Sequence, residues 1–132
     1  MKGLARLPAP QGIAAMQSIN VTAVAPPLMT TLFGSTAVCL LLAIYSLVFR
    51  PRGGAVLLLI GSLLYLIGAF LTTVLFNVPL NNALARVDPT SIAGARLWVR
   101  YLATWSAWNH VRAASAILAS AAFAFAFSCL CQ

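Results

Sequence analysis

Acidic side chains are almost absent from this sequence. Its 132 residues hold one aspartate, Asp88, and no glutamate. That excludes a carboxylate pair for acid–base chemistry and a carboxylate-rich di-metal centre. Histidine is as scarce, with His110 alone, and one His with one Asp cannot build a usual zinc site. Charged residues reach 7% of the chain, against roughly 25% in soluble domains. Too few charges remain to cover a globule with a solvated surface. A water-soluble enzyme, a disordered tail and a coiled coil are thereby excluded. No Gly-rich phosphate loop and no internal repeat occurs, and no apolar run follows Lys2 to make a signal peptide. An ion channel or proton-coupled transporter would be expected to carry acids inside its spans, and none is there.

What is present is apolar. Hydrophobic residues make up 62% and mean hydropathy is +0.98, the composition of a small integral membrane protein. Eight basic residues are scattered between the apolar blocks. That scatter reads as topology signalling and contact with lipid headgroups, and predicts no nucleic-acid partner. Cys39, Cys129 and Cys131 lie in or beside apolar blocks and read as packing residues, not as a disulfide framework or a metal site.

Spans are expected at about 28–49, 55–78 and 105–130. Leu28 to Phe49 is uncharged, opened by Pro26-Pro27 and closed by Arg50-Pro51-Arg52. Ala55 to Val78 follows the Gly53-Gly54 turn and is expected to stop at Pro79. The short link makes these two an antiparallel hairpin. Asp88-Pro89 reads as an N-cap and first helical residue. A single helix from there to Leu130 would be about 63 Å long, more than a bilayer needs. A break, or an interfacial loop or helix within 79–104, is therefore expected. Residues 1–27 are too polar to span, although Pro10 to Asn20 can form a short helix presenting Ile13, Met16 and Ile19. Close flanking by Arg50 and Arg52 places their link on the cytoplasmic side, while the count of basic residues on the opposite side favours the reverse. The whole chain reads as one all-α membrane domain, a polytopic transmembrane helical bundle.

The informative polar residues gather at one level. Asn77, Asn81 and Asn82 lie where the second span ends, and Asn109, His110 and Arg112 where the third begins. Antiparallel spans bring those two regions to the same side. Trp98, Tyr101, Trp105, Trp108 and Arg112 are spaced to form one stripe on a continuous helix. Such an aromatic mouth can hold a planar organic molecule. His110 can act as a general base, Arg112 can stabilise the resulting anion, and Asn77 and Asn109 can orient a carbonyl. Each also has a plainer structural role open to it. Asn77 can cap a helix, tryptophans line membrane boundaries, Arg112 can snorkel to headgroups, and His110 can bond at the interface.

Several of these stretches together resemble one family. Asn77-Val78-Pro79-Leu80-Asn81-Asn82, then Trp98, Tyr101 and Trp105, then Trp108-Asn109-His110-Val111-Arg112, are similar to the DUF1772 membrane family, which includes the fungal anthrone oxygenases. Ala15-Met16-Gln17-Ser18-Ile19-Asn20 resembles the family's segment before its second span. The resemblance implies four spans in the intact family. This sequence begins at Met1, just ahead of the segment matching Leu4 to Asn20, so three spans are expected here. It also implies oxidation of an anthrone methylene to a quinone carbonyl by molecular oxygen, without a cofactor. His110, Arg112, Asn109 and Asn77 would then be catalytic. Trp98, Tyr101, Trp105, Trp108 and Asn81 would bind substrate. The expected partners are membrane lipids, a hydrophobic aromatic small molecule and further copies of the chain, at a bacterial cell membrane. The rival readings are a non-catalytic accessory protein that binds a lipid or a protein partner and, more remotely, a small transporter of hydrophobic compounds.

Overall fold

The computed structural model describes residue 1 and residues 3–23, 26–50 and 54–130. Lys2, the Pro51-Arg52-Gly53 part of the link and Cys131 lie outside the described residues. All regular structure among the described residues is helical. A 3-10 turn, Leu4–Arg6, precedes α1, Ala9–Ala23. Three longer helices follow: α2 at Pro26–Phe49, α3 at Ala55–Ala85 and α4 at Ile92–Leu130. Each of these three is long and apolar enough to cross a membrane.

Along their apolar stretches the long helices turn mostly apolar side chains outward. Phe49, Val56 and Phe127 are each at least 70% exposed, a surface suited to lipid and costly in water. Within lipid, close packing holds helices together better than apolarity does. Small residues provide it here. A Cβ on Gly61 would stand 2.8 Å from the Phe123 ring, and Gly68 abuts Ser115. Both glycines belong to α3 and both neighbours to α4. α3 lies between α2 and α4 and packs along each of them.

Two sequence expectations change here. Pro79 does not stop α3, which continues to Ala85. Ahead of the proline the helix widens into π-helical turns, Leu64–Leu71 and Thr73–Asn77. Wider turns spare the proline ring its clash with the preceding turn, and the Thr73 hydroxyl donates 2.7 Å to the Ala69 carbonyl. The second change is α4, which has no break. It begins at Ile92 rather than Pro89. Ser91 is its cap, with Oγ accepting from the Gly94 N–H at 2.9 Å. Asp88 instead shapes the turn, accepting from the Thr90 N–H and hydroxyl at 2.8 and 2.7 Å. Those bonds hold the Asp88 carboxyl below the usual carboxylate range.

At 1.5 Å per residue α4 is about 58 Å long, so part of it stands outside the hydrocarbon core. Its uncharged part runs from Ala113 to Leu130, and the apolar part of α3 ends at Phe76. The remaining ends of both helices form a headpiece, across which α1 lies. Ile13 and Met16 of α1 pack with Leu84 of α3 and with Trp98 and Tyr101 of α4 in one buried cluster. Gly12 lets α1 approach, because a Cβ there would stand 2.6 Å from the Trp98 indole. Gln17 fixes the register by donating to the Leu84 and Val87 carbonyls at 2.9 and 3.1 Å. The Leu84 carbonyl lies in the last turn of α3 and the Val87 carbonyl just beyond it, where helical partners for the last carbonyls run out.

Candidate functional site

Between the headpiece and the spans lies a cavity of about 260 Å³. Four helices line it. α1 contributes Met16 and Asn20, and α2 contributes Leu28, Met29 and Leu32. α3 adds Thr73, Asn77 and Asn81, and α4 adds Trp105 and Arg112. Asn77 and Arg112 stand where the apolar stretches of their helices end, so the cavity sits at the level of the interface. Its apolar lining faces the spans, and its polar side chains come mostly from the headpiece ends.

The hydrogen bonding around this cavity is incomplete. Asn77 is 3% exposed, yet neither its amide nitrogen nor its amide oxygen has a partner. Trp105 Nε1 is likewise buried and unpaired, and Asn20 Nδ2, beside the Tyr101 hydroxyl, makes no hydrogen bond of good geometry. A buried polar group left without a partner costs about 1–3 kcal/mol. Native structures keep few such groups, and these three side chains surround one cavity. Arg112 spends one N–H on Asn109 Oδ1 at 2.6 Å and makes no other side-chain hydrogen bond among the described residues. Its guanidinium has five N–H donors, so most remain for a ligand. Asn81 accepts from the Tyr101 hydroxyl at 2.7 Å, and its own amide stays at the cavity wall. The free groups are thus mainly N–H donors around one positive charge. Such a set suits a ligand oxygen that carries, or can develop, negative charge.

The residues singled out in the sequence divide into three groups. Asn77, Asn81, Trp105 and Arg112 meet at the cavity, and Asn109 holds Arg112 from outside it. Trp98 and Tyr101 belong to the packed headpiece, at 3% and 0% exposure. Their rings stack with centroids 5.6 Å apart, and Tyr101 stacks on Trp105 at 6.2 Å. Trp108 stacks on Phe76 at 3.8 Å, bracing α4 against α3. His110 is exposed and lines a different, open groove of about 600 Å³ with Met1, Leu102 and Ser106. It lies two residues from Arg112, which is about 200° around a helix, so the two face apart.

Asn20 was not singled out as a site residue from the sequence. The signal was present: Ile13, Met16 and Asn20 follow helical spacing, so Asn20 continues the buried face of α1. Strict three-residue spacing points to Ile19 instead, which is 48% exposed.

The family model described as anthrone oxygenase matches residues 23–122. No curated protein and no solved structure matches the chain.

Proposed function

Because this chain belongs to the anthrone oxygenase family, we propose that it is a membrane oxygenase acting on a planar, anthrone-type aromatic held in the cavity between α1, α2, α3 and α4. One observation carries this reading. Three side chains with unpaired buried polar atoms, Asn20, Asn77 and Trp105, surround one cavity beside Arg112. At about 260 Å³ the space falls just below the usual range of roughly 300–1,000 Å³ for small-molecule sites, so it suits a compact ring system better than a long lipid chain. The exposed apolar side chains Ile19 and Leu28 stand at its margin, a fitting approach for a membrane-dissolved substrate.

The reaction balances without a further reductant. An anthrone CH2 and one O2 give one quinone C=O and one H2O. Two C–H bonds break, one oxygen atom enters the ring carbon, and the other leaves in water with both hydrogens. Loss of the first proton gives a carbanion whose charge spreads onto the ring oxygen. The unpaired N–H groups and Arg112 are suited to that oxygen. We place the protein in a bacterial cell membrane, with lipid around its three long helices.

Oxygen uptake by the purified protein in vesicles tests the reading. The expected result is anthrone-dependent uptake above the spontaneous rate, with one quinone formed per O2. Uptake no faster than in protein-free vesicles, with authentic anthrones of several substitution patterns, would overturn it.

A further inference from the structure

Among the described residues, deprotonation at this cavity has no evident protein base. α1, α2 and α3 present only neutral side chains to it, and α4 adds the cation Arg112. Tyr101 stands behind Asn81 with its hydroxyl donated to that amide. His110 faces the other groove, and Asp88 lies in the turn between α3 and α4. Among the described residues lining the cavity, Asn77 Oδ1 is the unpaired buried acceptor, and a carboxamide oxygen is too weak a base to hold a proton.

Resting on the oxygenase reading, we propose that the cavity is an anion-selecting pocket. It takes its aromatic substrate as the oxyanion, with Arg112 and the free N–H groups of Asn20, Asn77 and Trp105 making a bound phenol or enol more acidic, and the proton passing to water rather than to a side chain. A positive charge in a partly dry site favours the ionised form of its ligand far more than it would in water. The same donors would have to leave their hydrogen bonds unmade around an apolar ligand. Activation then consists of stabilising the substrate's own conjugate base. The carbanion reacts with O2, and the proton released at binding is matched by one taken up when water forms.

A hydroxyanthraquinone tests this, because its central ring is already oxidised and its phenol and phenolate absorb at different wavelengths. It is titrated with pH in protein-containing and protein-free vesicles of the same lipid. We expect the bound dye to ionise at least one pH unit lower than the free dye, a tenfold or greater preference for the anion. Arg112→Lys should keep most of that shift. Arg112→Gln should lose it while still binding the neutral dye, with folding checked by gel-filtration profile. His110→Ala should leave the shift unchanged. Binding without a shift would overturn the anion inference and leave the oxygenase reading standing. A shift that survives Arg112→Gln and vanishes in His110→Ala would overturn the assignment to Arg112. Absence of binding in either form would overturn the site itself. A clear shift with no oxygen uptake from anthrones would sustain the anion pocket and overturn the oxygenase.

Discussion

Two neighbouring regions of α4 show how structure and function divide. Tyr101 and Trp105 are one turn apart on the same face, and their rings stack. Tyr101 is fully buried, and its hydroxyl has found Asn81 at 2.7 Å. Trp105 has a buried indole N–H with no partner. Around Tyr101 the headpiece is closed by Ile13, Met16, Leu84 and Trp98. Around Trp105 the packing opens into the cavity, where Asn20 and Asn77 are unpaired as well. Buried polarity that is satisfied holds the fold together. Buried polarity left unsatisfied beside a cavity marks where a ligand would complete the bonding.

That contrast can be broken from the packed side. Tyr101→Ala should produce the largest loss, about 3–5 kcal/mol by analogy with other buried aromatic truncations, because the headpiece would keep a void and Asn81 would lose its donor. Denaturant or thermal unfolding in detergent would register it, and substrate binding should fall with the fold. Gly12→Ala should cost less, about 1–3 kcal/mol, as the new methyl pushes on the Trp98 indole. It would test whether α1 must lie this close to α4, and a stability equal to wild type would show that it need not.

A smaller effect sharpens the boundary of the headpiece. The carboxyl of Asp88 is held below its ordinary range by the two Thr90 hydrogen bonds. A group whose folded pKa is depressed contributes stability above its unfolded pKa and loses it as pH falls through the folded value. Asp88→Asn should therefore lower the unfolding midpoint slightly at neutral pH. The difference from wild type should begin to shrink as pH falls through about 4, the unfolded value, and should vanish only below the depressed folded value. A difference that stays constant through that range would assign the effect to shape rather than to charge.

Much of the fold was legible in the sequence. Composition and uncharged runs located the three long apolar helices, because a chain with one acidic residue has few other ways to fold. The ends were less legible. Pro79 reads as a stop by local rules, yet π-helical turns ahead of it carry the helix through. Asp88-Pro89 reads as a helix start, yet Ser91 provides the cap. Bilayer thickness argued for a break in α4, whereas the headpiece gives the surplus length something to pack against.

The site was legible as a cluster but not as an arrangement. Spacing put Trp98, Tyr101, Trp105 and Arg112 on one stripe, and the continuous helix keeps them there. Only the tertiary packing of α1 decides that the first two are covered and the last two face a cavity. Asn20 comes from a helix far away in sequence, and its role depends on where Gln17 and Gly12 dock that helix. His110 and Arg112 are adjacent in any motif, and helical rotation alone separates them.

On the proposed function, unpaired polarity at the cavity serves a ligand and not the fold. Asn77→Leu, close in shape and without polar atoms, tests it most directly through paired measurements of unfolding and of anthrone-dependent oxygen uptake. The expected unfolding midpoint is equal to or above wild type, since a buried unsatisfied amide is removed. The expected turnover efficiency is at least tenfold lower, since a good hydrogen bond to the developing anion is worth roughly 1.5–3 kcal/mol. A destabilised protein with unchanged turnover per folded molecule would contradict it and make Asn77 a structural residue.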